Sequence, residues 1–290
     1  MNRKYGFTII ELMTSVAIIA LLAGILIPSI YAVRSFAKNT EQRAQMNAIG
    51  LGLETFKNDY GDYPPSDQYG YAPQPPYYYN GAQKLSEALL GWDLKGFHPD
   101  SAWRSDGRDE AGAGFTYDPD GTRGTDSLYE RKGPYLDVET ANPFTLGELF
   151  NLGTFRVRPN NYVICDVYPQ LKVIRNDISG NPYVVKAGTP VLYFKANTAS
   201  KTISDTTTHT NNIYNPQDNK ITATLVNPDG DTTFGDLYYN SDNKFAYFYD
   251  YITDPLAPGA WPYNPETYIL ISAGRDGIYG TEDDITNFPR

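Results

Sequence analysis

The 290-residue chain contains one cysteine, Cys165, and two histidines, His98 and His209. A lone cysteine excludes an intramolecular disulfide, and we interpret Cys165 as a small buried residue in a strand-like stretch. Neither histidine lies in a zinc-binding pattern, and the sequence has no nucleophile elbow or phosphate-binding loop. We interpret both histidines as surface residues and predict that the chain is not an enzyme.

Basic residues are also scarce. Lysine and arginine together number 24 against 34 aspartates and glutamates, which gives a formal net charge of −10. Binding to a phosphate backbone needs a basic face, so we expect no nucleic-acid partner. An acidic surface instead fits a soluble exterior, or cation binding where carboxylates cluster.

One long hydrophobic run dominates the N-terminus. Residues 7–30 are almost wholly apolar and carry a single charged side chain, Glu11, whereas the residues before them include Arg3 and Lys4. As a helix the run would measure about 36 Å, enough to cross a bilayer core of about 30 Å. Basic residues ahead of a span hold the N-terminus in the cytoplasm, so we expect a single-pass protein with its C-terminal domain outside.

Glu11 separates three interpretations of this run. A secretory signal peptide, with weak cleavage sites near Ala32 and Ala37, leaves Glu11 unexplained, and so does an uncleaved anchor. A carboxylate deep in lipid costs about 2.5 kcal/mol or more and usually has a partner. The third interpretation accounts for Glu11, and it rests on the resemblance of the segment around Glu11 to a known processing motif.

The segment Gly6-Phe7-Thr8-Ile9-Ile10-Glu11-Leu12-Met13 resembles the processing motif of type IV prepilins and type II secretion pseudopilins. The resemblance implies that residues 1–6 are a leader, that a prepilin peptidase cleaves between Gly6 and Phe7, and that Phe7 is then N-methylated. It also implies that Glu11 pairs with the N-terminal amine of a neighbouring subunit during assembly. Each of these two charges would relieve the desolvation of the other.

The apolar pattern continues beyond the span as one helix face, with residues at helical spacing in Ile49, Leu53, Phe56 and Tyr60. Gly61 and the following prolines should end the helix. We therefore predict a helix over residues 7–60, with a transmembrane segment at about 7–30, and a globular domain over 61–290. The resemblance implies a pilin-like α+β fold, in which the helix packs on an antiparallel sheet and long loops are inserted.

Composition gives the remaining elements. We expect a short helix over residues 83–92 and a long surface insertion over 97–133. We also expect a Thr/Asn-rich linker or loop over residues 198–219, as part of a second insertion over 198–240. β-Branched and aromatic runs bounded by turn residues predict six strands, over residues 161–167, 170–175, 182–186, 191–196, 245–251 and 267–272. The sequence Asn181-Pro182-Tyr183 resembles the start of the sheet in major pseudopilins.

The C-terminal stretch from Tyr268 to Ile285 is similar to the calcium loop of major pseudopilins. The similarity implies a calcium site, for which carboxylates are offered by Asp276, Glu282, Asp283 and Asp284. An Asp-Gly turn followed by a solvated acidic tail is the alternative. The stretch from Asp118 to Asp126 also resembles a calcium loop, and a plain turn is again the alternative.

Taken together, the resemblance implies a structural subunit that polymerises into a periplasmic pseudopilus and drives protein export by type II secretion. Its partners would be the prepilin peptidase, other pilin-like subunits and an inner-membrane assembly platform. The lack of a cysteine pair argues against ordinary type IV pilins, whose C-terminal loop is commonly closed by a disulfide. A type IV pilus-like subunit with an adhesive or DNA-uptake role is the alternative, in which Tyr77–Tyr79 would stack on sugars rather than pack on proline.

Overall fold

The computed structural model describes residues 8–68, 77–110, 114–117, 126–153, 156–203, 208–225 and 245–289. The chain divides into two compact units between Glu41 and Gln42. A long helix and antiparallel sheets make up the described elements, which confirms the predicted α+β class and its pilin-like plan. The predicted leader, with Gly6 and Phe7, lies outside the described residues.

Helix α1 spans Ile9–Tyr60. An 18-residue window of it reaches a mean hydropathy of 2.5, and none of that window is buried. In the part of the chain that the structure describes, α1 alone is long and apolar enough to cross a membrane.

In the second unit α1 buries one face. Ile49, Leu53 and Phe56 recur at spacings of three and four residues and are buried, whereas Leu51 is 71% exposed. The helix stops before Gly61, whose φ of 86° is a left-handed conformation that glycine adopts without steric cost.

The later helices are short, and the predicted helix over 83–92 is confirmed as the first of them. Asn80 and Gln83 begin it with a reciprocal capping box, which satisfies two otherwise orphaned donors. In chain order these helices are α2 (Gly81–Leu90), α3 (Asp126–Tyr129), α4 (Val138–Ala141), α5 (Leu146–Leu149), α6 (Lys220–Thr224) and α7 (Ala246–Ile252). Short 3₁₀ turns occupy His209–Asn211 and Pro216–Asn219.

Within the described residues, the strands form three small antiparallel sheets. β1 (Pro143–Thr145) pairs with β2 (Tyr162–Ile164), and β3 (Leu171–Asn176) pairs with β4 (Pro182–Ala187). The third sheet has the order β5 (Leu192–Lys195), β6 (Tyr268–Ser272) and β7 (Ile285–Thr286). Five of the six predicted strands are confirmed in type, with shorter bounds in several cases.

The β5–β6 pair lies at the centre of the second unit and is covered on both faces. Tyr193 and Leu270 share a buried cluster with Ile49 and Leu53 of α1. On the other face, the neighbouring residues of the same strands join a cluster that includes Phe248 of α7. Side chains of a strand alternate between faces, so this pair serves two cores and explains why β6 is buried along its whole length.

The predicted strand over 245–251 is wrong, because this segment is helix α7. Its aromatic residues favour strands by intrinsic propensity. Packing decides otherwise: Phe248, Tyr249, Tyr251 and Ile252 are buried, a spacing of three and four residues that fits one helix face.

The predicted surface insertion over residues 97–133 is wrong where the structure describes it, and the predicted loop or linker from residue 198 carries buried side chains. In the segment 97–133, Phe97, Arg104 and Tyr117 are buried, and Phe97 contacts Phe56 of α1 with ring centroids 4.9 Å apart. In the segment that begins at 198, Ile213 and Tyr214 are buried in the core. The burial of these side chains could not be predicted, because isolated apolar residues among aspartates and glycines make no periodic pattern.

Candidate functional site

The surface of α1 in the first unit is the most distinctive feature of the chain. Its large side chains from Ile9 to Phe36 are exposed and aliphatic or aromatic almost without exception. Between Thr8 and Val33 the only charged residue is Glu11. An exposed apolar surface of this extent is a site of contact with lipid or with other protein surfaces.

Glu11 takes part in a capping box that sequence reasoning missed. Its carboxylate accepts hydrogen bonds from the Thr8 backbone N–H at 2.9 Å and from the Thr8 hydroxyl at 2.8 Å. The Glu11 N–H in turn donates to the Thr8 hydroxyl oxygen at 3.3 Å. The signal was present as Thr-x-x-Glu before an apolar run. Glu11 therefore has a partner within its own chain at the start of the helix.

The C-terminal loop begins where β6 ends at Ser272. A Cβ on Gly274 would lie 2.2 Å from the backbone oxygen of Asp283, so only glycine permits this approach. The Asp283 carboxylate accepts the N–H groups of Arg275 at 2.7 Å and Asp276 at 2.9 Å. It also accepts the Thr281 hydroxyl at 2.7 Å. Hydrogen bonds to a single carboxylate thus hold both arms of the loop together.

Two of the four predicted calcium ligands meet in this loop. Burial and the neighbouring charge of Asp283 raise the pKa of Asp276, although the Ile278 N–H donates to it at 2.8 Å. Burial also acts to raise the pKa of Asp283, but the hydrogen bonds from Thr281, Asp276 and Arg275 outweigh it and lower the pKa below its usual value. Asp276 and Asp283 both offer carboxylate oxygens, which are the ligands that calcium takes in proteins, and the nearby Gly274 and Gly277 adopt positive φ.

The other two predicted ligands lie on a different side of the loop. Asp284 accepts hydrogen bonds from the Gly280 N–H at 2.8 Å and from the Tyr251 hydroxyl. With the exposed Glu282 it lines a cleft of about 590 Å³, bordered also by Asp250 and Arg43. The structure therefore separates the predicted set into the pair Asp276 and Asp283 and the cleft residues Glu282 and Asp284.

Both histidines are buried, so their interpretation as surface residues is wrong. His98, Asp100 and Glu130 place one ligand atom each within 4.8 Å of one another. However, His98 Nδ1 accepts the Asp100 N–H at 3.1 Å, which leaves the proton of a neutral ring on Nε2, 3.3 Å from a Glu130 oxygen. A metal needs an imidazole lone pair, and this arrangement offers none, so the cluster is a hydrogen-bonded structural group.

A second pocket, of about 380 Å³, is lined by Asp62, Asp67, Asp218, Lys195 and other residues. Asp218 is buried and accepts the Ser66 hydroxyl at 2.5 Å. Burial, aided by the charge of Asp67, raises the pKa of Asp218 to about 7, against the hydrogen bond from Ser66. This acid is a candidate for titration near neutral pH that the sequence did not single out.

The remaining residues singled out in the sequence do not form a functional site in the described residues. Tyr79 is buried and donates its hydroxyl proton to Glu87 at 2.5 Å, so it is unavailable for stacking on a sugar. The ring of Tyr77 is covered by the Arg158 guanidinium at 4.5 Å. Residues 118–125 of the second acidic stretch lie outside the described residues, and Cys165 is fully buried as predicted.

Comparisons with known proteins find one family motif and two similar proteins. Residues 1–27 match the family model of the prokaryotic N-terminal methylation motif. The type IV major pilin protein PilA of Myxococcus xanthus is 36% identical over 75 residues, which cover 25% of this chain and 33% of that protein. The type IV wide pilus major component PilA4 of Thermus thermophilus is 40% identical over 63 residues, which cover 22% of this chain and 48% of that protein.

The chain thus spans between a third and about half of the length of these relatives, and no solved structure matches it. The methylation motif, the long apolar helix and the sequence similarity to pilins all lead to the same assignment. Over about a quarter of its length the chain is similar to type IV pilins, and with the methylation motif this similarity indicates a type IV pilin-like protein.

Proposed function

We propose that the chain is a structural subunit of a pilus-like filament, anchored in the membrane by the first part of α1 and joined to other subunits through that helix. The observation that supports this most is the exposed aliphatic surface of α1 with Glu11 as its only charge before Arg34. Such a surface needs lipid or the same helices of other subunits around it. Cleavage after Gly6 and N-methylation of Phe7 by a prepilin peptidase belong to the same proposal.

Of the two filaments that use such subunits, we favour a periplasmic pseudopilus of a type II secretion system, built on an inner-membrane assembly platform. In support, hydrogen bonds of Asp283 and Asp284 close the C-terminal loop without a disulfide. The single-pass topology would place α1 across the inner membrane and the globular unit in the periplasm. The pili named for the two relatives favour the alternative, a type IV pilus subunit with an adhesive or DNA-uptake role.

We propose further that one calcium ion binds at Asp276 and Asp283. Two carboxylates held close together repel each other unless a cation or a proton neutralises them. Calcium would supply that charge, and neighbouring backbone carbonyls would complete its oxygen shell. Glu282 and Asp284 stay outside this reduced ligand set.

Deletion of the gene, with complementation by the wild-type chain as the control, tests the filament proposal. A pseudopilus subunit is required for release of secreted enzymes, so their extracellular activity should be lost while surface pili persist. Loss of surface pili with normal secretion would favour the alternative. Normal secretion together with normal surface filaments would contradict both.

A further inference from the structure

The hairpin of β3 and β4 carries apolar side chains on both faces. Its inner face, with Leu171 and Val173, is buried in the core. On its outer face Ile174 and Val184 lie directly opposite each other and are 71% and 63% exposed. A sheet with one covered face normally presents polar residues on the other, so this outer face is a candidate contact surface.

Ile178 extends the apolar surface to the hairpin tip. The Asp177 carboxylate accepts the N–H groups of Ser179 and Asn181 at 2.8 Å each, and the Gly180 N–H donates to the Asp177 carbonyl at 2.9 Å. These bonds define the turn and leave Ile178 fully exposed. The exposed position of Ile178 is therefore part of an ordered turn.

The same outer face is basic. Lys172 and Lys186 lie directly opposite each other, an arrangement that destabilises a strand pair. Both are exposed, and neither forms an ion pair with any residue that the structure describes. A partner for this face must combine apolar and acidic groups.

The cleft beside the C-terminal loop offers that combination. Its acidic side chains are Asp250, Glu282 and Asp284, against one described cation, Arg43. Its apolar wall contains the rings of Tyr263 and Phe288, stacked with centroids 4.8 Å apart, and two prolines. At about 590 Å³ the cleft has room for one or two aliphatic side chains.

We propose that the outer face of the β3–β4 hairpin docks into this cleft on a second copy of the chain. Charge complementarity supports a second copy: the hairpin face is basic, whereas the cleft is acidic. Two different patches on one molecule make a heterologous contact, which extends head to tail when it does not close into a ring. A filament needs such a contact, and in this respect the inference rests on the proposed function.

Co-expression of two variants of the full chain, each with one introduced cysteine beside the native Cys165, tests the contact in membranes. Ile178→Cys places a thiol at the hairpin tip, and Thr253→Cys places one in the cleft, while Cys165 is buried and unreactive. We expect oxidation to give a disulfide-linked dimer from the pair but not from either variant alone. Ser179→Cys with Thr253→Cys is the matched control, because Ser179 is also exposed in the same turn but is polar, and this pair should cross-link much less.

Charge reversal gives an independent readout. Lys172→Glu with Lys186→Glu should lower the cross-linked multimer about tenfold or more, whereas Lys201→Glu, at an exposed lysine outside the hairpin, should have little effect. Adding Asp250→Lys and Glu282→Lys to the reversed hairpin should restore multimers.

Three outcomes would overturn the inference. The contact would be rejected if the wild type forms filaments but the cysteines at positions 178 and 253 do not cross-link. It would also be rejected if Asp250→Lys with Glu282→Lys does not restore multimers. Neither result would contradict the proposed function. The purified chain could instead bind anionic vesicles through this face. In that case Lys172→Glu with Lys186→Glu would abolish vesicle binding and leave the multimers unchanged. Absence of filaments from the wild type would remove the proposed function and this inference with it.

Discussion

At the scale of single residues, Glu11 has two roles: it caps a helix, and we propose that it pairs with a neighbouring subunit. Its carboxylate caps the start of α1 through Thr8, and the resemblance to prepilins assigns it a partner on a neighbouring subunit. An amide preserves the capping box, since Gln also serves at this position, but it lacks the charge. The two roles are therefore separable by substitution.

We predict that Glu11→Gln and Glu11→Ala both leave a membrane-inserted chain and both reduce filaments, because both remove the charge. Glu11→Ala should in addition lower the helix content slightly, since loss of a cap costs about 1 kcal/mol. The yield of chemically cross-linked multimers in membranes measures the loss of filaments, and circular dichroism in detergent measures the helix content. Normal filaments from Glu11→Gln would show that capping, not charge, is the role of Glu11.

Asp218 predicts an unusual dependence of stability on pH. Its folded-state pKa of about 7 lies above the ordinary value of 3.8, so the folded chain holds a proton that the unfolded chain releases. The stabilisation is complete below about pH 4 and is lost as pH rises through 7. Its size is on the order of a few kcal/mol, at about 1.4 kcal/mol per pKa unit.

Asp218→Asn should reduce the dependence of the unfolding free energy on pH between about pH 4 and pH 7. The free energy of unfolding of the wild type should fall from pH 4 to pH 7 by more than that of the variant, because the amide does not titrate. Urea unfolding at several pH values measures the difference. Parallel profiles for the two proteins would mean that Asp218 stays ionised.

The calcium proposal makes its own prediction. Calcium should raise the melting temperature of the wild type and of Glu282→Gln, and Asp276→Asn should abolish the response. A ligand that binds only the folded chain adds about 2.7 kcal/mol at a hundredfold excess over its dissociation constant. A wild type that melts alike in calcium and in chelator would reduce the loop to a hydrogen-bonded turn.

The sequence predicted the acids of this loop but not their grouping. Which carboxylates meet depends on the close approach at Gly274 and on the hydrogen bonds that Asp283 accepts, and spacing alone does not define either. The burial of His98 could not be predicted either, because its partners Asp100, Tyr117 and Glu130 follow no periodic pattern in the sequence.

At the scale of elements, α1 combines two surfaces in one helix. Its first part is apolar all round and its last part buries one stripe against β5 and β6. The apolar first part and the buried stripe were both predictable from the sequence, because length and hydrophobic periodicity are strong indicators of a helix in a long segment. Helix α7 was not, since seven residues rich in Phe and Tyr favour a strand by propensity and only the core reveals the helix.

Packing of α1 on the sheet predicts a sharp contrast between neighbouring leucines. Leu53→Ala removes a fully buried side chain and should cost about 2–5 kcal/mol of unfolding free energy. Leu51→Ala changes an exposed position on the same helix and should stay within about 0.5 kcal/mol of the wild type. Denaturant unfolding in detergent compares them, and equal costs would contradict the packing described for this helix.

At the scale of the whole molecule, one chain carries a methylation motif, a long apolar helix and a globular unit with a basic hairpin face and an acidic cleft. Similarity to pilins covers about a quarter of the chain. The globular unit was predictable in class but not in layout, because three small sheets and many short helices depend on long-range contacts that leave little local pattern.

Processing is the central claim, and the mass and N-terminal sequence of the membrane-extracted protein test it most directly. We predict a chain that begins at Phe7 and carries one methyl group on its terminal nitrogen, and Gly6→Asp should block cleavage and leave the unmethylated precursor. A mature chain that begins at Met1, or beyond residue 30, would contradict the account.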